Sequence, residues 1–169
     1  MPPHALSAIA AGSRVLLDAN IFIYAFTGRS PQCREIIERS QDGDVAAVTT
    51  IEAVNEVCHK LMLLEALECG VIKRISAAAL RSKATEIRSL TNYWKLVERI
   101  FDLEITILAL AEPRARRAYH LRSTFGLLTN DSLIAAAAQE QSIVNLATSD
   151  RNFDHIDWLT TYRPTDLPR

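Results

Sequence analysis

Short apolar runs alternate along the chain with longer stretches of helical spacing, and this alternation restricts the fold more than any other feature. The runs lie at 14–18 (RVLLD), 45–49 (VAAVT), 105–110 (ITILAL) and 143–148 (IVNLAT), with a further short one at 157–161 (DWLTT). Their length and their Val, Ile and Leu content suit strands buried on both faces. Between them lie helical segments. Residues 31–41 put Cys33, Ile36 and Ile37 on one face, with Ser30 as cap and Pro31 at the first helical position. Thr50 can cap a helix to about residue 68, with Val54, Val57, Leu61 and Leu64 near one stripe, and Gly70 ends it. Residues 76–101 read as helical with a break near Thr91 and Asn92. Residues 113–124 and 130–141 read as two more helices, with Gly126 between them. Strand, helices, strand, helices, strand, helices, strand predicts an α/β fold, a parallel sheet covered on both faces.

The chain has 169 residues, enough for one domain, and no linker or repeat divides it. The expected organisation is an N-terminal tail (1–13), a single domain (14–161) with a helical elaboration at 71–102, and a C-terminal tail (162–169). Apolar residues make up 49%, too many for a disordered chain. The three cysteines are odd in number and form no C-x-x-C, which argues against a disulfide framework or a cysteine zinc site. No apolar run approaches the ~20 residues needed to span a bilayer, and the N-terminus lacks a basic signal-peptide region. A cytoplasmic protein without a membrane partner is therefore expected.

Four acids fall at strand ends or helix starts. Asp18 closes the first run, Glu56 lies one to two turns into the helix after the second, Asp131 opens the helix before the fourth, and Asp150 follows the fourth. In open parallel sheets, ligands bind at the carboxyl ends of the strands. Like charges at 4 Å repel by about 4 kcal/mol in partly screened surroundings. Such a cluster persists only with protonation or a bound cation. Oxygen-only donors favour hard ions such as Mg²⁺ or Mn²⁺, and such an ion suits phosphodiester hydrolysis by activated water. Each acid also has an ordinary reading as a cap, turn or surface residue; the joint pattern is the signal. Glu52, four residues before Glu56, shares nearly the same helical face, and the second-helix assignment stays open between the two. Thr49 or Thr50, Ser149, Asn20, Asn130 and Ser132 are candidate helpers around the acids.

The segments VLLDANIFIYAF, TIEAVNEVCHKL, LLTNDSLIAAAAQEQ and LATSDRNFDHI resemble, in order, the four motifs of PIN domains. The resemblance runs from about Arg14 to Ile156. It implies a three-layer α/β/α sandwich with a parallel sheet of four or five strands. It also implies a ribonuclease dependent on Mg²⁺ or Mn²⁺, with Asp18, Glu56, Asp131 and Asp150 as catalytic acids and metal ligands and Asn152 and Asp154 as helpers. The chain resembles the small members of this family, mostly VapC-type toxins of toxin–antitoxin pairs, which implies a cognate antitoxin and a homodimer. The helical middle is longer here than in the smallest toxins.

Charge is unevenly spread. Residues 60–122 carry twelve bases against seven acids, whereas both flanks are net acidic and the total is −1. Arg114, Arg116, Arg117 and Arg122 fall on one expected helix and, with Lys60 or Arg151, form a candidate phosphate-binding face for an RNA substrate. Tyr93, Trp94 and Phe101 are candidates for base stacking or for a partner interface. The rival readings are a metal-dependent DNA nuclease, a non-catalytic RNA- or protein-binding domain, and a phosphotransfer domain. A dehalogenase-like phosphatase would want Asp where Asn20 stands.

Overall fold

The computed structural model describes residues 4–167. Its strands are β1 (His4–Ala5), β2 (Arg14–Leu17), β3 (Ala46–Thr50), β4 (Thr106–Leu108), β5 (Asn145–Ala147) and β6 (Thr160–Arg163). Its helices are α1 (Ala19–Phe26), α2 (Pro31–Gln41), α3 (Ile51–Glu68), α4 (Ala77–Leu80), α5 (Ala84–Ser89), α6 (Asn92–Asp102), α7 (Glu112–Phe125) and α8 (Thr129–Glu140). All strand pairs are parallel, in the order β1-β6-β5-β2-β3-β4.

The two-residue period of the strands builds the layers. Val15 and Leu17 face a core shared with α1, α2, α3 and α6; Leu16 between them faces a second core made with α7 and α8. In the same way Ala47 and Ala147 belong to the first core, Val48 and Leu146 to the second. Apolar side chains on both faces explain why these strands read as continuous runs. The caps fall where the sequence placed them. Ser30 Oγ accepts from Cys33 N at 3.0 Å and Thr50 Oγ1 from Ala53 N at 3.2 Å. Gly126 ends α7 at φ 67°, a left-handed conformation that suits glycine.

The sheet has six strands rather than four or five, and the stretches expected to be tails supply the difference. His4 and Ala5 pair with Tyr162 and Arg163 at the edge, and Leu6 and Ile9 are buried beneath. The fifth strand lies three residues later than expected, in the polar sequence TTYR. A two-residue edge strand has no periodicity to detect, and a half-exposed polar strand has no apolar run. Beyond β6, Asp166 accepts from Ser30 Oγ at 2.6 Å and from Gln32 N at 3.0 Å, while Thr165 N donates to Gln32 Oε1 at 2.8 Å. The C-terminal segment thus caps the start of α2. Burial raises the Asp166 carboxyl, but these donors outweigh it and hold the group below the usual carboxylate range. Asp166→Ala should cost about 1 kcal/mol, read as a lower urea midpoint; an unchanged midpoint would show that the cap is not stabilising.

The middle segment folds back onto α3. Leu63, Ala66, Ile72, Leu80 and Leu90 form a small core of their own, while Val97 and Ile100 of α6 enter the main one. The expected break near Thr91 separates α5 from α6. No described helix is long and apolar enough to cross a membrane.

Candidate active site

β2 lies between β5 and β3, so the chain moves outward on one side of β2 and later returns on the other. This is a topological switch point, where a crevice opens at the carboxyl edge. Asp18 stands at its mouth, one residue beyond β2 and at the N-cap of α1. Pairing of Leu17 with Ala147 sets Thr148, the first residue after β5, beside it. Asp18 Oδ1 accepts from Ala19 N at 2.7 Å, and Oδ2 accepts from Thr148 Oγ1 at 2.6 Å and from the Asn20 amide. The Asn20 carbonyl oxygen in turn accepts from Ser149 N at 2.9 Å. Asn20 therefore ties the start of α1 to the loop that carries Asp150.

That loop is a 3-10 turn (Arg151–Phe153) capped by Asp150, whose Oδ1 accepts from Asn152 N at 2.8 Å. The Asn152 amide bridges Asp131 Oδ2 at 3.2 Å and Asp150 Oδ2 at 3.4 Å. Across the crevice, Asn130 Nδ2 reaches Glu56 Oε2 at 3.5 Å. Four elements thus deliver Asp18, Glu56, Asp131 and Asp150 to one edge.

Their charges act on one another. The Asp18 carboxyl is pushed up to about 6, mainly by burial; Thr148 and Ala19 oppose the shift, and the charges of Glu56 and Asp131 add to it. Asp131 is also raised, first by burial and then by Asp150 and Glu56, against the Asn152 amide. None of the four forms an ion pair among the described residues. The site therefore concentrates negative charge that only a proton or a cation can relieve. The four acids do not already close around one point as a tight ligand set; amide and hydroxyl groups stand between them.

The helpers divide. Asn20, Asn130 and Asn152 contact the acids, as expected. Thr50 is buried and caps α3, and Thr49 donates to Leu17 O, so neither hydroxyl serves the acids. Ser132 is spent on Thr129 O. Ser149 reaches the acids only through Asn20 and lies 3.4 Å from the Tyr24 hydroxyl. Asp154 is drawn away from the cluster into an ion pair with Arg163. Glu56 is the α3 acid whose charge acts on Asp18 and Asp131; Glu52, one turn earlier, lies beside it in the adjoining groove with both carboxylate oxygens unpartnered.

Two contributors were not anticipated. Thr148 ends the 143–148 run, and its place beside Asp18 comes from the β2–β5 register. Arg163 donates to the Asp150 carbonyl at 2.7 Å and fixes that loop from β6, beyond the expected end of the domain.

The arginine face is corrected. Arg114 is 4% exposed and donates to Glu140 at 2.7 Å, so it is unavailable to a ligand. Arg116 is paired with Glu112, and Arg122 lies 3.4 Å from Thr129 Oγ1. Arg117 and Arg151 are exposed. Trp94 and Phe101 are exposed neighbours on α6, whereas Tyr93 packs against the core.

A doubly wound parallel sheet with four carboxylates at its switch point, none ion-paired among the described residues, defines a class of acid-site α/β domains. The PIN domain family profile matches residues 15–159, most of the chain, and the protein belongs to that family. The fold is similar to that of VapBC2 from Rickettsia felis bound to a promoter DNA fragment, with TM-score 0.59 and 16% identity over 89% of this chain and 98% of that one. It is also similar to VapBC-1 from nontypeable Haemophilus influenzae, with TM-score 0.55 and 17% identity over 89% and 97%. VapC20 from Mycobacterium tuberculosis, a toxin that cleaves the sarcin–ricin loop, aligns with TM-score 0.50 and 13% identity over 85% and 95%. No curated protein matches the chain.

Proposed function

We propose that this PIN domain is an endoribonuclease dependent on Mg²⁺ or Mn²⁺, and the toxin of a VapBC-type pair. The observation that carries the reading is the meeting of Asp18, Glu56, Asp131 and Asp150 at one sheet edge with no cation paired to them among the described residues. The donor set is all oxygen, which fits a hard divalent ion. These four side chains would hold it, and the ion would polarise the phosphodiester and lower the pKa of water there. The protein's own groups do the rest. Thr148 and Asn20 orient the Asp18 carboxylate, Asn152 spaces Asp131 from Asp150, and Arg163 fixes the loop beneath them. The likeness to VapBC structures supports an antitoxin partner, and the proposal includes a homodimer acting in the cytoplasm.

Labelled RNA and single-stranded DNA digested side by side, with Mg²⁺, with Mn²⁺ and with EDTA, test the reading. RNA cleavage lost in EDTA is expected; preferential cleavage of DNA would make the chain a DNA nuclease instead. Metal binding has its own readout. At a hundredfold excess over its dissociation constant, Mn²⁺ should stabilise the protein by about 2.7 kcal/mol. A thermal midpoint unmoved by Mn²⁺ or Mg²⁺ would remove the metal site.

A further inference from the structure

Two depressions flank the acidic cluster. One, of about 290 Å³, is bounded by Asn20 and Glu56 on the side of the acids and by Tyr24, Arg29 and Lys60 beyond them. Ile23, Leu64 and Ile75 form its apolar wall. The other, of about 480 Å³, runs along α3 past Asn55 and His59 to Asn130. Both include Glu56 and Lys60, so they meet over α3 at Glu56, one of the four acids.

We propose that the smaller depression is a subsite for the nucleotide next to the scissile phosphate, with Arg29 and Lys60 holding a phosphate and the Ile23, Leu64 and Ile75 wall receiving the base. This rests on the ribonuclease reading and adds the residues that grip the strand. Charge is the first argument. Four carboxylates repel a polyanion, so cations must stand close to them to hold it. Arg39, Arg114, Arg116 and Arg163 are all committed to carboxylates, whereas Arg29 and Lys60 have no such partner among the described residues. Lys60 lies one helical turn after Glu56, on the same face of α3.

Order is the second argument. The Arg29 guanidinium lies over the Tyr24 ring, 5.1 Å from its centroid. The Tyr24 hydroxyl reaches Ser149 Oγ in the loop leading to Asp150. A phosphate held by Arg29 is thereby placed relative to the acids. Shape is the third. Ile75 is 53% exposed, an apolar side chain left open beside a strongly charged cleft. At about 290 Å³ the depression falls just below the range of small-ligand pockets, roughly 300–1,000 Å³. It therefore takes one unstacked nucleotide of a single strand rather than a helix.

The test uses Asp18→Asn protein, so that the strand is not cut, and fluorescence anisotropy across a salt series. The probes are a labelled single-stranded RNA of mixed sequence and an abasic ribose-phosphate oligomer of equal length. Arg29→Ala and Lys60→Ala should each weaken binding of both probes about three- to tenfold and flatten the salt slope by about 0.7. Ile75→Ser should weaken RNA binding only. Arg34→Ala, an exposed arginine of α2 outside both depressions, is the reference and should change neither. If the Asp18→Asn protein binds RNA and the Arg29 and Lys60 variants bind it with the same affinity and slope, the subsite is wrong while the ribonuclease reading stands. If Ile75→Ser lowers binding of both probes equally, or of neither, the base wall is wrong. If the Asp18→Asn protein fails to bind RNA, the ribonuclease reading itself falls.

Discussion

Asp18→Asn should abolish cleavage and, in EDTA at neutral pH, make the protein more stable. Both effects come from the same burial. The Asp18 carboxyl is 6% exposed and pushed from 3.8 to about 6, mainly by burial. An acid with a folded-state pKa above its unfolded value costs stability once both states are ionised. The metal-free wild type is therefore least penalised below about pH 4. It loses stability as pH rises through about 6, and above that it carries a penalty on the order of 2–3 kcal/mol. Asparagine has no charge to bury, so the substituted protein should show neither the pH dependence nor the full penalty. Some of the gain is lost because the Asn20 amide and Thr148 hydroxyl must find a new acceptor arrangement. A net gain of about 1–2 kcal/mol in urea unfolding at pH 7.5 is expected, shrinking towards zero near pH 4. Mn²⁺ should stabilise the wild type and leave the variant nearly unmoved. Cleavage should fall by at least about a hundredfold, the scale on which single groups stabilising transition-state charge act. Undiminished cleavage by a clean preparation would refute the site. A variant less stable than wild type at every pH would show that the Asp18 hydrogen bonds outweigh its burial.

The acids were legible because they end or follow patterns that sequence displays well. An acid directly after VLL marks a strand's carboxyl end, and two such ends meet only if the strands are neighbours and parallel. The alternation of strands and helices predicted that they are parallel. The groups that hold the acids in place were less legible, because each depends on a contact between distant segments. Thr148 matters only through the β2–β5 register, and Arg163 only because TTYR is a strand. Arg114 shows a signal that was present and not used. It lies four residues before Ala118 and seven before Leu121, all three buried on one face of α7. The helical period that marks a core stripe also predicts that Arg114 points inward. Counting arginines as a patch ignores that period. Arg29, outside the basic middle, stands just after α1 and lines a depression together with Asn20 and Glu56.

Glu65→Ala should be among the most destabilising single substitutions in the protein, with little direct effect on the acids. Glu65 sits on the last turns of α3 and is 8% exposed. Its Oε1 accepts from Thr91 N at 3.0 Å and Asn92 N at 3.1 Å, and its Oε2 from Tyr93 N at 2.7 Å. These are donors at the start of α6, and Thr91 offers no side-chain cap of its own. A carboxylate there satisfies groups that the helix cannot satisfy and also favours its positive end. Burial works to raise the Glu65 carboxyl, but the three N–H bonds and Lys95 outweigh it and hold the group below the usual range. Removing the side chain leaves up to three donors without partners at about 1–3 kcal/mol each, in part relieved by water. A total loss of about 3 kcal/mol in urea unfolding at pH 7 is expected. A depressed pKa means this stabilisation is complete above the unfolded value and fades as pH falls through the folded one. The gap between wild type and variant should therefore narrow in acid; the Asp18→Asn gap narrows there too but has the opposite sign, because that variant is the more stable of its pair. Glu65→Gln retains acceptors for part of the bonding and should lose less. At low temperature the Glu65→Ala protein should still cleave, because α3 carries Glu56 more than two turns before the lost contact. A variant as stable as wild type would mean that α6 docks through Val97 and Ile100 alone, and that the carboxylate contributes nothing to holding the helical middle on the domain.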